Sequence, residues 1–382
     1  MLKDILTTDL EYLAIFSLVL ILPKIIQRIK IPSGITALCI GIGISILDPA
    51  LKNDQLFRFL SQIGITSLFL FAGLEVDYDE LKEDRVYLSK YLVKFSAALI
   101  VITMVVMKTL DLSLQNSFIL SLGIFTPSAG FILNSLHSFD ISEDQEYWVR
   151  SKAISKEVLS IVLLFLALQG SDPKALLISF SFFVSLFLVL PYIFNLFFKF
   201  ISPYAPNSEI PFLITLSLIS GVLSKELGAY YLIGAFIVGL VGSRFKRKIF
   251  KEGEEVLFRS LSGFFSVFLP FYFFKAGLGL TIGNFTLEAA AIGVVIAIIF
   301  VPLRIFLINY SLKTFISEFR MNIYKISLSL MPTLVFGLVI ANILLERKMV
   351  SSPIIYGLIV YTLLTSLLPT VFFFFNKEKA LS

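Results

Sequence analysis

Long apolar runs fill nearly all the space between this chain's charged clusters, and a run long enough to cross a bilayer leaves few folds open. A hydrocarbon core about 30 Å thick takes roughly 20 residues of helix, and backbone amides in lipid must find partners inside their own helix. Such stretches, bounded by charge or by Pro/Gly clusters, lie near 8–24, 32–49, 55–75, 87–108, 114–137, 147–169, 174–199, 208–225, 229–244, 258–281, 286–309, 321–345 and 351–375. Charged residues make up only 15% of the chain and the mean hydropathy is +0.90, against about 25% charge in ordinary soluble domains. Phe alone supplies 40 of the 382 residues, more apolar surface than an aqueous fold of this size hides. The expected class is an all-α polytopic membrane protein of about 13 transmembrane helices. It fills residues 1–382 as a single membrane domain, without a soluble regulatory domain.

The same composition excludes several functions. A single cysteine, Cys39, rules out an internal disulfide framework and a thiolate metal site. One histidine, His137, argues against a histidine-based metal site. No nucleophile–base pair stands inside any span, so an enzyme is not expected, and no cofactor motif is visible. Asp4, Asp9 and Glu11 occupy the place of a basic leader, so the first helix reads as a retained span. The net charge of +5 follows from loop bias, and nucleic acid is not an expected partner.

Loop charge sets the orientation. Lys24, Arg28 and Lys30 follow the first helix, Lys82, Arg85 and Lys90 the third, Arg244, Lys246, Arg247, Lys248 and Lys251 the ninth, and Lys313, Arg320 and Lys325 the eleventh. Even-numbered helices are followed by isolated lysines such as Lys52, Lys108 and Lys174. The positive-inside rule places the basic loops and the C-terminus in the cytoplasm. An odd helix count then puts the N-terminus outside.

The chain also repeats itself. Ala72-Gly73-Leu74 in the third helix matches Ala276-Gly277-Leu278 in the tenth, and Gly41-Ile42-Gly43-Ile44-Ser45 in the second resembles Gly239-Leu240-Val241-Gly242-Ser243 in the ninth. Each pair is about 200 residues apart and separated by seven helices, so the copies enter the membrane from opposite sides. This is the inverted-topology repeat of secondary transporters, expected over 32–169 and 229–375.

The same offset pairs two interruptions. Thr126-Pro127-Ser128-Ala129-Gly130 breaks the fifth helix; Pro332-Thr333, followed by Gly337, breaks the twelfth. Proline frees a backbone carbonyl, and such a break survives at membrane depth only where protein or a cavity covers it. Paired breaks in corresponding halves mark a transporter's binding site. Read singly, each is an ordinary proline kink.

Ionisable groups inside a span are functional candidates. With Trp148 as the interfacial anchor, Glu157 lies nine residues in, about 13 Å deep at 1.5 Å per residue. A carboxylate there binds a proton or a small hard cation, and competition between the two suffices for antiport. The bland reading is a Glu157 neutralised by a lysine; Lys156 is poorly placed for that, because consecutive helix residues point about 100° apart. Lys152 shares the Lys156 face. Arg304, inside the eleventh helix, needs an acceptor, either the carbonyls freed at the breaks or Glu157 itself. Lys275 reads as nearer the middle of its stretch than its end and counts as a third core charge. Glu75, Lys94 and Glu226 read as interfacial, and Asn134 and His137 follow the first break.

These residues resemble the cation:proton antiporter-2 family, which includes sodium/proton exchangers and the membrane domains of Kef-type potassium efflux proteins. The resemblance rests on Leu68 to Asp77, on Leu232-Ile233-Gly234-Ala235-Phe236-Ile237-Val238-Gly239-Leu240, on Phe273 to Leu278, on Thr126-Pro127-Ser128 and on Phe336 to Ala341. It implies a homodimer in a bacterial inner (plasma) membrane, with two crossed broken helices and elevator-type alternating access among the membrane lipids. The family's paired acidic position falls at Lys156 and Glu157; Glu157 keeps an acid, while Lys156 departs from the pattern. The family's basic residue before the second break falls near Arg304, where an arginine cannot release its proton.

The expected function is exchange of Na⁺ or K⁺ for H⁺ through Glu157, electroneutral because one acid remains, with Thr126, Ser128 and Ser155 as auxiliary oxygens and no other metal. The competing reading is a binding or sensing protein on the same scaffold, its core site closed by Lys156.

Overall fold

The computed structural model describes residues 2–29, 31–76, 85–136, 141–170, 172–205, 208–227, 231–245, 254–315 and 323–379. His137 and Asp77 lie outside these residues, as does the side chain of Asn134.

Among the described residues the chain forms only helices: α1 (Leu2–Ile26), α2 (Ser33–Leu47), α3 (Gln55–Leu74), α4 (Arg85–Leu110), α5 (Leu114–Phe125), α6 (Ala129–Leu136), α7 (Glu143–Gln169), α8 (Pro173–Phe200), α9 (Glu209–Glu226), α10 (Tyr231–Ser243), α11 (Glu254–Gly279), α12 (Leu287–Phe315), α13 (Ile323–Ser329), α14 (Leu334–Glu346) and α15 (Ser352–Lys379). Counting α5/α6 and α13/α14 as interrupted spans gives the 13 expected. Six stretches are long and apolar enough to cross a membrane unaided: Gln55–Leu74, Arg85–Leu110, Pro173–Phe200, Leu287–Ser311, Tyr324–Glu346 and Ser352–Phe372. Others, such as Ser33–Leu47, are shorter.

The helix starts are written locally. Asp54 caps α3 by accepting from the Phe57 N–H at 2.9 Å. Ser142 and Gln145 form a capping box at the head of α7. Asp172 caps α8, whose first residue is Pro173, where the missing N–H costs nothing.

The helices pack in two groups. In one, α2 lies against α11 and α3 against α10, flanked by α1, α8 and α9; in the other, α12 lies against α15, with α4, the two broken helices and α7 around them. Lipid replaces water outside: Leu188 on α8, Val101 on α4 and Ile298 on α12 are about 60% exposed or more.

The repeat shows in one close contact made twice. Gly41 on α2 and Gly277 on α11 meet so tightly that a Cβ on either would strike the other helix's backbone, at the carbonyls of Phe274 and Leu38 respectively. Gly239 on α10 and Gly73 on α3 meet in the same way, against the carbonyls of Leu70 and Phe236. The sequence matches pair Gly41 with Gly239 and Gly73 with Gly277. Exchanging the halves therefore turns one contact into the other, as an inverted repeat requires. Close backbone approach through glycine is how helices gain packing energy in lipid, where no hydrophobic drive separates helix from solvent.

Candidate functional site

The two interrupted helices cross at their breaks. The Ser128 N–H donates to the Pro332 carbonyl at 2.9 Å, and the Ser128 hydroxyl accepts from the Phe336 N–H at 3.0 Å. Each break thus supplies what the other lacks, and Ser128 serves α14 as an N-terminal cap from another helix. Tyr361 on α15 donates to the Ile124 carbonyl at 2.8 Å, the last turn of α5.

Helix ends carry partial charge, positive at the N-terminus and negative at the C-terminus. The charged residues of the core answer both signs. Glu157, 3% exposed, faces the start of α6 and accepts from the Ala129 N–H at 2.9 Å and from the Gly130 N–H. Arg304, 2% exposed, faces the end of α13 and donates to the carbonyls of Leu330 at 2.9 Å and Met331 at 3.0 Å. It also donates to the Tyr361 hydroxyl at 3.1 Å. Arginine, Tyr361 and Ile124 thereby tie the second break to the first.

Over residues 13–377 the chain matches the family described as sodium/hydrogen exchanger, transmembrane. The chain belongs to this family. Among curated proteins, this exchanger-family chain is 25% identical over 288 residues to the putative Na⁺/H⁺ antiporter YjbQ of Bacillus subtilis (strain 168), a match covering 68% of the chain and 45% of that relative. It is 24% identical over 303 residues to the Na⁺/H⁺-K⁺ antiporter GerN of Bacillus cereus, covering 72% of the chain and 74% of GerN. The chain thus spans under half of YjbQ. Among solved structures, the sodium proton antiporter MjNhaP1 from Methanocaldococcus jannaschii at pH 8 superposes with a TM-score of 0.68 over 96% of both chains at 16% identity, a likeness of fold.

Not every residue expected at the helix crossing is there. Thr126 is fully buried and donates to the Ser160 hydroxyl at 2.8 Å. Ser160, three residues after Glu157, shares its helix face and is the hydroxyl the sequence reading passed over. Ser155 is two residues from Glu157, roughly 200° around the helix. It is half-buried and lines a cleft between α3, α4, α7 and α10. Lys275 is likewise away from the core. It sits four residues before the end of α11, half-buried, and donates to the Lys52 carbonyl in a second cleft. Pro127 and Pro332 stand in the breaks; Gly130 opens α6, and Gly337 lies one turn into α14, packed on Thr362.

Lys156 does not pair with Glu157. Its side-chain nitrogen lies 4.9 Å from the Tyr91 ring centre, 5.1 Å from Phe95 and 5.5 Å from Phe125, inside an aromatic cage. Lys152, fully buried, faces Tyr87 and Tyr91 at 5.4 and 4.9 Å.

The two clefts open at opposite ends of α3. One holds Glu75, Arg85 and Arg150; the other holds Lys52, Asp54, Arg58, Lys275 and Glu346. Glu157 lines neither.

Proposed function

We propose that this chain is a secondary active transporter exchanging a monovalent cation, Na⁺ or K⁺, for H⁺ through Glu157. One observation carries the reading: the buried Glu157 carboxylate sits at the crossing of two broken helices, held by the amides that open α6, while separate clefts open at the two ends of α3. The names of YjbQ and GerN support the same ions.

The chemistry is competition at one oxygen pair. Ionised, Glu157 is stabilised by the Ala129 and Gly130 N–H groups and by the α6 dipole. It then takes a cation, with the Thr126, Ser128 and Ser160 hydroxyls as further hard oxygen ligands. Protonated, it releases the cation. Antiport follows if the core group shifts against α2, α3, α10 and α11 only when the acid is loaded, by elevator-type movement. Arg304 keeps its charge throughout and holds the breaks together, so one proton exchanges for one cation without net charge movement. By the positive-inside rule, the basic loops support an orientation with the end of α3 near Glu75 in the cytoplasm and the N-terminus outside.

The sensor reading asked for a Glu157 closed by lysine. Lys156 is engaged by aromatic rings instead, and no observation favours that reading.

Proteoliposomes with an internal pH dye test the function. Adding Na⁺ or K⁺ should move protons, unaffected by an imposed potential. No cation-evoked pH change between pH 6 and 9 would reject it.

A further inference from the structure

The buried ionisable side chains of the core group do not balance. Lys152, Lys156 and Arg304 are buried there against the single acid Glu157, among the described residues. Glu157 is engaged by α6, and the Arg304 donors are engaged by neutral carbonyls and a phenol. Lys156 has ring faces for neighbours, and among the described residues no acid lines its cavity.

Lys156 also lines a cavity of about 320 Å³ between α4, α5, α7 and α12. Lys94 and Arg304 line it too, and no acid among the described residues does. Tyr91, Tyr310 and Ser311 add hydroxyls, the other walls are apolar, and the lining residues Ala97, Val101 and Tyr310 are exposed on the lipid side between α4 and α12. The volume falls at the small end of small-molecule sites. A buried lysine with no acid beside it, among the described residues, at the end of a largely apolar channel is complementary to one ligand class, a carboxylic acid with a hydrocarbon tail.

We propose that this cavity binds a long-chain carboxylic acid from the membrane, its carboxylate on Lys156 and its chain leaving between α4 and α12. Depth selects a fatty acid over a phospholipid. Lys156 lies eight residues past Trp148, about 12 Å below that interfacial anchor. A phosphate on a two-chain lipid is held at the interface. A single-chain acid travels through hydrocarbon neutral and passes its proton to the Lys156 amine, so that carboxylate and ammonium form together in the pocket and no unpaired charge is carried through lipid. Both end groups gain a charge-assisted hydrogen bond that neither has alone.

The test uses the full chain in nanodiscs with a photoactivatable palmitate analogue, followed by peptide mapping. Label should fall on α4 and α12 and be displaced by palmitate, but not by hexadecanol or phosphatidylglycerol. Lys156→Met should weaken apparent affinity at least about tenfold, the scale of one lost charge-assisted hydrogen bond. Ala97→Trp, which blocks the mouth and leaves every charge in place, should do the same. Lys156→Arg should retain binding, which separates lost charge from lost folding. Labelling unchanged by Lys156→Met and Ala97→Trp overturns the site. Equal displacement by hexadecanol overturns the role of the carboxylate, and equal displacement by phosphatidylglycerol overturns the assignment to a fatty acid. Binding is read without transport, so its failure leaves the antiport reading standing.

Discussion

Lys156 and Glu157 are neighbours in the chain whose charged ends do not meet. The Glu157 carboxylate accepts from Ala129 at 2.9 Å, while the Lys156 side-chain nitrogen rests 4.9 Å from the Tyr91 ring centre. About 100° of helix rotation separates the two side chains, which leaves the acid free of the lysine in the proposed exchange. If the lysine only fills its cage, Lys156→Met retains cation-evoked proton movement in proteoliposomes. Its abolition in a folded protein would place Lys156 in the exchange step.

Removing the ring both lysines share is a different matter. Tyr91 is 4% exposed and faces Lys152 and Lys156 together. Tyr91→Ala creates a cavity and strips two buried lysines of their ring contact. A loss of roughly 3–5 kcal/mol is expected, read as a large drop in thermal midpoint in detergent.

Arg304 binds three acceptors at the crossing, and each buried acceptor left alone costs about 1–3 kcal/mol. Arg304→Met should therefore be among the most destabilising core substitutions. Tyr361→Phe, which loses the link to Ile124 and to Arg304, should cost about 1–3 kcal/mol. Thermal midpoints equal to the parent's for both variants would show that the tie contributes nothing.

Two glycines of one motif should behave oppositely. Gly41→Val drives side-chain atoms into the α11 backbone, whereas nothing stands near a Cβ on Gly43. Gly41→Val is expected to yield little folded protein, and Gly43→Ala to match the parent chain in expression and monodispersity.

These cases show what the sequence made legible. The helices lay within a few residues of their stretches, because a hydrocarbon solvent makes length and hydropathy decisive. The breaks were legible because proline at mid-span has few explanations. The glycine matches gained meaning only when Gly41 met Gly277. Ser155 could have been set aside on helical angle alone, and Ser160, at i+3 from Glu157, chosen instead. Lys275 was misplaced because its helix ends four residues later, at Gly279. The α6 amides that hold Glu157 are 28 residues away in the chain, and no local pattern announces that contact. The cage has the same origin: Tyr91 and Phe95 share a face of α4, but only packing brings Lys156 to it.

Ser160 and Ser155 offer a test of that correction. Ser160→Ala should raise the half-saturating cation concentration roughly 3–10-fold, the scale of one hydrogen-bonding ligand, and Ser155→Ala should leave it unchanged. The reverse ranking would restore the first assignment.

The most direct measurement is isotope exchange in proteoliposomes, with ²²Na⁺ or ⁸⁶Rb⁺ driven by an outward proton gradient, for Glu157→Gln beside Glu157→Asp. Glu157→Gln keeps the shape and the amide contacts but cannot exchange a proton for a cation, so uptake should fall to the level of empty liposomes, while Glu157→Asp retains part of it. Gradient-driven uptake by a folded Glu157→Gln protein would contradict the account.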